Sequence, residues 1–315
     1  MKLIVQIPCY NEAQTLPLVI ASLPRQIGGI DCIETLIIDD GSNDGTSEVA
    51  RSLGVTYVLR NKRNLGLAFS FRKAIDAALH NGADIIVNLD GDNQYKASEI
   101  PALIQPILDG RADMVVGDRR TDTISEFSSL KKLLQKLGSA VVRKLSDTQV
   151  RDTTSGFRAF SRDAAFKLTI LGNYTYTHEA ILQAPSKGLT IVDVAIETNP
   201  KTRESRLMRS IRGYIAFSIA SILRIFAMYN PLRVFLQIGG ILLFLGFALA
   251  VRFLYFYLTT GGAGKLQSLI LAAIALIMGG TIILFGLIAD IIQFNRRLLE
   301  DILERIKRLE HDTLR

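Results

Sequence analysis

Over residues 1 to about 200 the chain alternates short apolar runs with segments of helical spacing. The runs are "LIVQI" (3–7), "TLIIDD" (35–40), "TYVLR" (56–60), "DIIVNLD" (84–90), "DMVVGD" (113–118) and "TIVDVAIET" (190–198). Between them lie stretches such as "LGLAFSFRKAIDAALHNG" (65–82), an amphipathic helical pattern closed by a glycine. Strand-length runs alternating with helices predict a βαβ arrangement, an α/β fold with a mostly parallel sheet. No repeat or low-complexity segment interrupts the pattern.

Past Asn199 the pattern changes. Val234–Leu258 holds a single charge, Arg252, and Leu269–Phe294 a single charge, Asp290. A bilayer core takes about 20 apolar helical residues, so each segment predicts a transmembrane helix. Seven basic residues lie between Lys201 and Arg233 and six follow Asn295, while the loop 259–267 has only Lys265. That distribution predicts a two-pass protein with both ends on the cytosolic side, in a cytoplasmic (inner) or endoplasmic-reticulum membrane. The N-terminal run stops at Pro8, too short for a secretory signal.

Two further segments carry interfacial patterns. In 206–229 an Ile/Phe stripe starts beside Arg206, Arg209 and Arg212, and in 130–145 a leucine stripe faces four lysines. For the second, an ordinary amphipathic helix packed on its own domain is an equal reading. The tail, apolar at 298, 299, 302, 303, 306 and 309, has a spacing suited to pairing with copies of itself, hence a homo-oligomer. The expected organisation is a cytosolic catalytic domain (1–205), a juxtamembrane amphipathic helix (206–230), a two-helix membrane domain (231–294) and a separate C-terminal helix (295–315).

Composition narrows the chemistry. Two cysteines, Cys9 and Cys32, and no Cys/His cluster exclude a disulfide scaffold and a structural zinc site. Net charge is +7. Because the basic residues concentrate beside the spans, anionic lipid accounts for them and no nucleic-acid partner is expected.

The candidate chemistry sits where apolar runs end in acidic residues: "PCYNE" (8–12), "DDGSNDG" (39–45) and "DGDNQ" (90–94). Ligands of open α/β sheets bind at the carboxyl ends of strands. Asp90 and Asp92, with Gly91 allowing a turn between them and Gln94 adding an amide oxygen, form an oxygen-only set suited to Mg²⁺ or Mn²⁺. On these residues alone a solvated acidic loop is an equal reading.

Taken together, "IPCYNE", "IIDDGSNDGT", "NLGLAFSFRKAI", "DGDNQY", "VVGDRR" and "RDTTSGFRAF" resemble glycosyltransferase family 2, in its dolichol-phosphate-mannose-synthase-like branch, over residues 3 to about 206. The two C-terminal spans resemble those of its polyprenyl-phosphate glycosyltransferases. The resemblance implies a GT-A fold in which Pro8, Tyr10, Glu12, Ile38 and Asp40 surround the nucleobase of a nucleotide-sugar donor. It implies that Asp90, Asp92 and Gln94 hold the metal on the donor diphosphate and that Arg119 faces the phosphates. Asp152 corresponds to an aspartate that serves as base or as organiser of the acceptor loop. Relatives often carry an R-x-x-x-S-K-like segment before the membrane part. Here "KTRESRL" offers Arg203, Ser205 and Arg206 instead, arginines that also bind phosphate. A polyprenyl phosphate acceptor, membrane lipid contact and an inverting reaction complete the expectation.

A processive polysaccharide synthase relies on a QxxRW segment, and this chain has no tryptophan. A non-catalytic membrane scaffold is disfavoured by the intact acidic and basic motif residues. His178 is expected to be structural, and His80 and His311 to lie at the surface.

Overall fold

The computed structural model describes residues 1–120, 139–140, 142–143, 148–170, 176–200, 231–261 and 266–313. The interfacial segments expected at 130–145 and 206–229 therefore lie mostly or wholly outside the described residues. Two compact units are present, one formed by Met1–Ile219 with Ile302–Arg315 and the other by Ala220–Asp301.

In the first unit the six expected apolar runs are strands: β1 (Lys2–Cys9), β2 (Cys32–Asp39), β3 (Tyr57–Arg60), β4 (Ile85–Asn88), β5 (Met114–Asp118) and, last in the chain, β7 (Ile191–Ala195). The seventh, β6 (Arg158–Ser161), was not expected as a strand. It enters the middle of the sheet, whose order is β3-β2-β1-β4-β6-β5-β7. β6 runs antiparallel to both neighbours, and every other pairing is parallel. Its four residues follow a turn-rich stretch, which hides so short a strand from a pattern reading.

Leu3–Cys9 of β1 are all buried, as befits a strand covered on both faces. Alternate residues serve alternate faces. Leu3, Val5, Ile7, Ile37, Val87 and Val115 join one core with Leu16 and Val19 of α1 (Leu16–Ala21) and Leu103 and Ile104 of α4 (Ile100–Leu108). Between these helices in the chain come α2 (Thr46–Ser52) and α3 (Leu67–His80). α3 buries Ala68, Phe71, Ala74, Ile75 and Ala78 at three- and four-residue spacing and stops at Asn81, before Gly82 with φ +79°. Its Phe71 packs edge-on against Phe160 (5.8 Å) and stacks on Tyr176 (4.0 Å) of the helix α6 (Tyr176–Ser186). The short α5 (Arg162–Lys167) begins with Ser161 Oγ accepting from the Ala164 N–H, an N-cap.

The second unit pairs two helices long and apolar enough to cross a membrane: α7 (Pro231–Thr260) and the larger part of α8 (Leu266–Thr313). Glycines set their approach. A Cβ on Gly239 would fall 2.8 Å from Gly279 O, and one on Gly279 would fall 2.9 Å from Gly239 O. Gly246 lies against Ala272 and Leu276, and Gly286 against Phe235. Small residues let backbones meet where lipid supplies no hydrophobic drive between helices.

α8 does not stop at Asn295, where a separate helix was expected to begin; no glycine or proline interrupts it there. Its last turns belong to the first unit. Lys307 Nζ pairs with Asp76 at 2.7 Å and Arg308 with Asp163. His311, expected at the surface, is only 9% exposed. Its Nε2–H donates to Leu79 O (2.8 Å), Arg162 Nη2 lies 3.2 Å from Nδ1, and the ring meets Phe166 edge-on at 5.6 Å. At the end of α3 the Leu79 carbonyl accepts the Gly82 N–H (2.9 Å) and has a second lone pair for a ring donor, a site that tail periodicity alone does not reveal.

His311→Ala is expected to lower the stability of the detergent-solubilised full chain by about 1–3 kcal/mol, because Leu79 O and Arg162 lose a buried partner. Lys307→Ala, whose partner Asp76 is exposed, is expected to cost under about 1 kcal/mol. Chemical denaturation of both variants checks the difference, and equal losses would contradict the assignment.

Candidate functional site

Parallel register brings the carboxyl ends of β1, β2 and β4 to one sheet edge, with Cys9 opposite Asp39 and Gln6 opposite Asn88. β6 runs the other way, so its first residue, Arg158, reaches the same edge opposite Asn88 and Val116. The loops 10–15, 40–45, 89–96 and 152–157, with Arg119 after β5, therefore converge.

At the end of β2 the side chain of Ile38 is fully buried in the core. The resemblance placed it at a nucleobase, and a buried side chain leaves only its main chain for such a contact. Asp40 was also expected there, but it turns toward the loop before α3. It accepts from Asn61 Nδ2 (2.8 Å), the Leu65 N–H (3.0 Å) and the Gly66 N–H (2.8 Å). Three donors hold this carboxylate as a loop organiser. Gly41 makes the turn possible, with φ +78° and room for no Cβ, which would meet Arg63 backbone at 2.6 Å. The neighbouring Asp39, not singled out from sequence, accepts from the Ser42 N–H (2.8 Å) and from Ser47 Oγ, with Arg60 Nε 3.6 Å away.

Pro8 is buried in β1, and Tyr10 stands exposed just beyond it. Glu12 is 7% exposed, with its Oε2 2.8 Å from Thr15 Oγ1. The same hydroxyl lies 2.7 Å from Gly91 O, joining the β1 loop to the β4 loop. A cleft of about 420 Å³ runs between the β1 and β2 loops, lined by Asn11–Thr15, Asn43 and Asp44. A second cavity, about 430 Å³, lies among α3, α5 and the end of α8; it is lined mainly by apolar residues and carries none of the strand-end groups.

Asp90 and Asp92 follow β4. Burial, then the charge of Asp92, pushes the Asp90 carboxyl up to about 7, with Glu12 adding to the rise and Arg119 opposing it. Among the described residues no hydrogen-bond donor meets the Asp90 side chain. A carboxylate so placed wants a cation. No cluster of three or more His, Cys, Asp or Glu side chains suited to a metal occurs among the described residues. The chain thus offers a short, hard-oxygen set, which suits an ion that takes its other ligands from phosphate. Gln94 ties in through its backbone, its N–H donating to Asp92 Oδ1 at 3.1 Å. Gly91 acts otherwise than expected. Its φ is ordinary, and Asn93 takes the left-handed conformation (φ 59°). Gly91 is needed for space, since a Cβ there would sit 2.8 Å from Cys9 Sγ.

Arg119 and Asp152 form one unit. Nε donates to Oδ2 at 2.7 Å and Nη2 to Oδ1 at 3.1 Å, while Nη2 also reaches Thr154 Oγ1 at 2.8 Å. Burial alone would raise the Asp152 carboxyl, but the Arg119 guanidinium outweighs it and holds the group below its ordinary range. This fork fixes the guanidinium plane. Among the described residues Arg119 Nη1 carries no hydrogen bond. Arg203 and Arg206 lie outside the described residues. Sequence reading missed Asn88, Gly156 and Arg158. Asn88 receives Gln6 Nε2 (2.9 Å) and donates to Gly156 O (2.8 Å). A Cβ on Gly156 would lie 2.8 Å from Asp90 Oδ2. A polar residue inside an apolar strand and a glycine next to "FRAF" were the signals available.

The family model described as "Glycosyl transferase family 2" matches residues 4–168. A glycosyltransferase named AglJ from Haloferax volcanii is 27% identical over 310 residues, covering 96% of this chain and 95% of its own length. An undecaprenyl-phosphate mannosyltransferase from Micrococcus luteus is 27% identical, covering 68% of this chain and 90% of its own. Among solved structures, glucosyl-3-phosphoglycerate synthase from Mycobacterium tuberculosis, crystallised with Mn²⁺ and uridine diphosphate, shares the fold. Its TM-score is 0.54 at 20% identity, covering 72% of this chain and 79% of that one.

Gly156→Ala is expected to cost about 1–3 kcal/mol of stability, because Asp90 or the loop must shift to admit the methyl group. Gly28→Ala, with nothing within 4 Å of its Cβ position, is the control. Equal unfolding midpoints for the two variants would contradict the packing of Gly156 on Asp90.

Proposed function

Since the chain belongs to glycosyltransferase family 2, we propose that it transfers a monosaccharide from a nucleoside-diphosphate sugar to a polyprenyl phosphate. The observation that carries this reading is the meeting of Asp90, Asp92 and the Arg119–Asp152 pair at one sheet edge. Such an edge, with a divalent cation on Asp90 and Asp92, would receive a diphosphate and neutralise it. The acceptor class is supported by the name of the Micrococcus luteus relative and by two helices fit to hold the chain at a bilayer.

In this reading the nucleoside end of the donor lies along the β1 and β2 loops, against Tyr10 and Glu12. Asp90 and Asp92, with Gln94 beside them, hold Mg²⁺ or Mn²⁺ on the diphosphate. The bound ion neutralises charge on the leaving group. A structure of the same fold contains Mn²⁺ and uridine diphosphate. Arg119 Nη1 supplies N–H donors to the departing phosphate oxygens, oriented by the fork to Asp152. The acceptor phosphate is already ionised at neutral pH, so its oxygen attacks the anomeric carbon without a base. The new C–O bond forms as the bond to the diphosphate breaks, and the nucleoside diphosphate leaves with the electron pair.

Asp152, with both oxygens engaged by Arg119, serves here as organiser of the acceptor loop and not as base. A single displacement inverts the anomeric centre, so an α-linked donor yields a β-linked product. Arg203 and Arg206 guide the lipid phosphate. The catalytic domain occupies 1–205 and faces the cytosol together with the C-terminus.

Purified protein in detergent or nanodiscs, incubated with a panel of labelled nucleotide sugars and undecaprenyl or dolichyl phosphate, is expected to form one class of lipid-linked monosaccharide. NMR of the released sugar phosphate is expected to show the β-anomer. Sugar transfer only to a growing polysaccharide, or an α-product from an α-donor, would overturn the reading.

A further inference from the structure

Arg158 opens β6 and is fully buried, 0% exposed. A guanidinium in such a place is costly unless its N–H groups are met. Here they are met by main chain: Nε donates to Ser155 O (2.8 Å), Nη2 to Thr153 O (2.9 Å) and Nη1 to Thr177 O (2.6 Å). The Tyr176 ring lies 5.9 Å from its centre. Among the described residues no carboxylate forms an ion pair with it. Burial lowers its pKa to about 10, opposed by Tyr176 and Asp152, so it stays charged at neutral pH.

Two of the carbonyls it captures, those of Thr153 and Ser155, belong to the short run between the two halves of the site, and the third, Thr177 O, lies in α6. Asp152 starts that run on the Arg119 fork. Gly156 ends it against Asp90, its N–H on Tyr95 Oη (3.0 Å) and its carbonyl receiving Asn88 Nδ2 (2.8 Å). Left to themselves, the Thr153 and Ser155 carbonyls could turn their negative ends toward an anionic substrate. Arg158 binds both from within and so denies them that orientation. A buried arginine that bonds carbonyls three and five residues upstream and ties them to a helix 19 residues downstream has the placement of a loop holder.

We propose that Arg158 is a positioning residue for sugar transfer: it sets the 152–156 run so that Asp152 presents Arg119 to the donor diphosphate. This rests on the transferase reading above. The nucleoside end of the site is built on β1 and β2 and does not depend on this loop.

The test compares Arg158→Lys and Arg158→Met with wild type at saturating acceptor. Misplacing a catalytic group by about 1 Å costs about 100-fold. Arg158→Met is accordingly expected to lose about 100-fold in kcat with donor KM within about threefold. Arg158→Lys, which keeps the charge but not the planar fork, is expected to lose about tenfold. Asp152→Asn combined with Arg158→Met is expected to lose little more than the worse single variant, since both act through one loop.

Hydrogen exchange gives a readout apart from activity: peptides spanning 150–157 are expected to exchange faster in Arg158→Lys, with β1 and β2 unchanged. If Arg158→Met does not fold, Arg158→Lys carries the test. Variants with kcat within about threefold of an active wild type, or full additivity with Asp152→Asn, would overturn the proposal and leave the transferase reading intact. A wild type that transfers no sugar would overturn that reading instead, and the exchange of 150–157 would still decide whether Arg158 holds the loop.

Discussion

Glu12, Asp39, Asp40, Asp90, Asp92 and Asp152 are drawn to the loops at one sheet edge, and each must be neutralised where water is scarce. Asp39 takes a backbone N–H, a serine hydroxyl and Arg60. Asp40 takes Asn61 and two backbone N–H groups, and Asp152 takes Arg119. Local structure follows from these bonds: the Gly41 turn, the loop before α3 and the loop before β6 all exist in the form that delivers donors to carboxylates. Asp90 differs, because among the described residues no donor comes to its side chain and its carboxyl is pushed up to about 7. The chain spends its internal cations and N–H groups on the other carboxylates. In the proposed function the divalent cation that arrives with the diphosphate neutralises the one left over.

The sheet edge depends on glycines as much as on charges. Gly91 lets the loop after β4 pass Cys9, and Gly156 lets the loop before β6 lie on Asp90. A methyl group at either place would meet sulfur or carboxylate at 2.8 Å. The same economy recurs in the second unit, where Gly239 and Gly279 bring two apolar helices to backbone contact. In the sheet the close approach places ligands, and in the helix pair it replaces a hydrophobic drive that lipid cannot give.

Much of this was legible in the residues. Six of the seven strands announced themselves as apolar runs ending at turn or acidic residues, and the two long apolar helices by length and composition. The site's address was readable too, since three acidic clusters fell at strand ends. What escaped is what depends on partners distant in the chain. The Arg119–Asp152 fork joins residues 33 apart, and only the antiparallel entry of β6 brings them together. Asp40 gives no sign in sequence that Leu65 and Gly66 donate to it. Arg158 carried no signal of its own, because the three carbonyls that surround it are placed by the fold. His311 lies in a tail whose apolar spacing suggests self-pairing, yet its ring reaches a helix end 232 residues earlier. Periodicity reports which face is apolar, not which single polar atom finds a buried acceptor.

The account's central claim is that the lone strand-end carboxylate and its neighbour await a divalent cation carried with a diphosphate. Electron paramagnetic resonance of Mn²⁺ titrated into the full chain, with and without a nucleoside diphosphate, addresses this without relying on turnover. The account predicts one Mn²⁺ bound per chain when the nucleotide is present, and loss of that signal in a protein carrying both Asp90→Asn and Asp92→Asn. Equal Mn²⁺ binding by the doubly substituted protein, or none by the wild type with any nucleoside diphosphate, would contradict it.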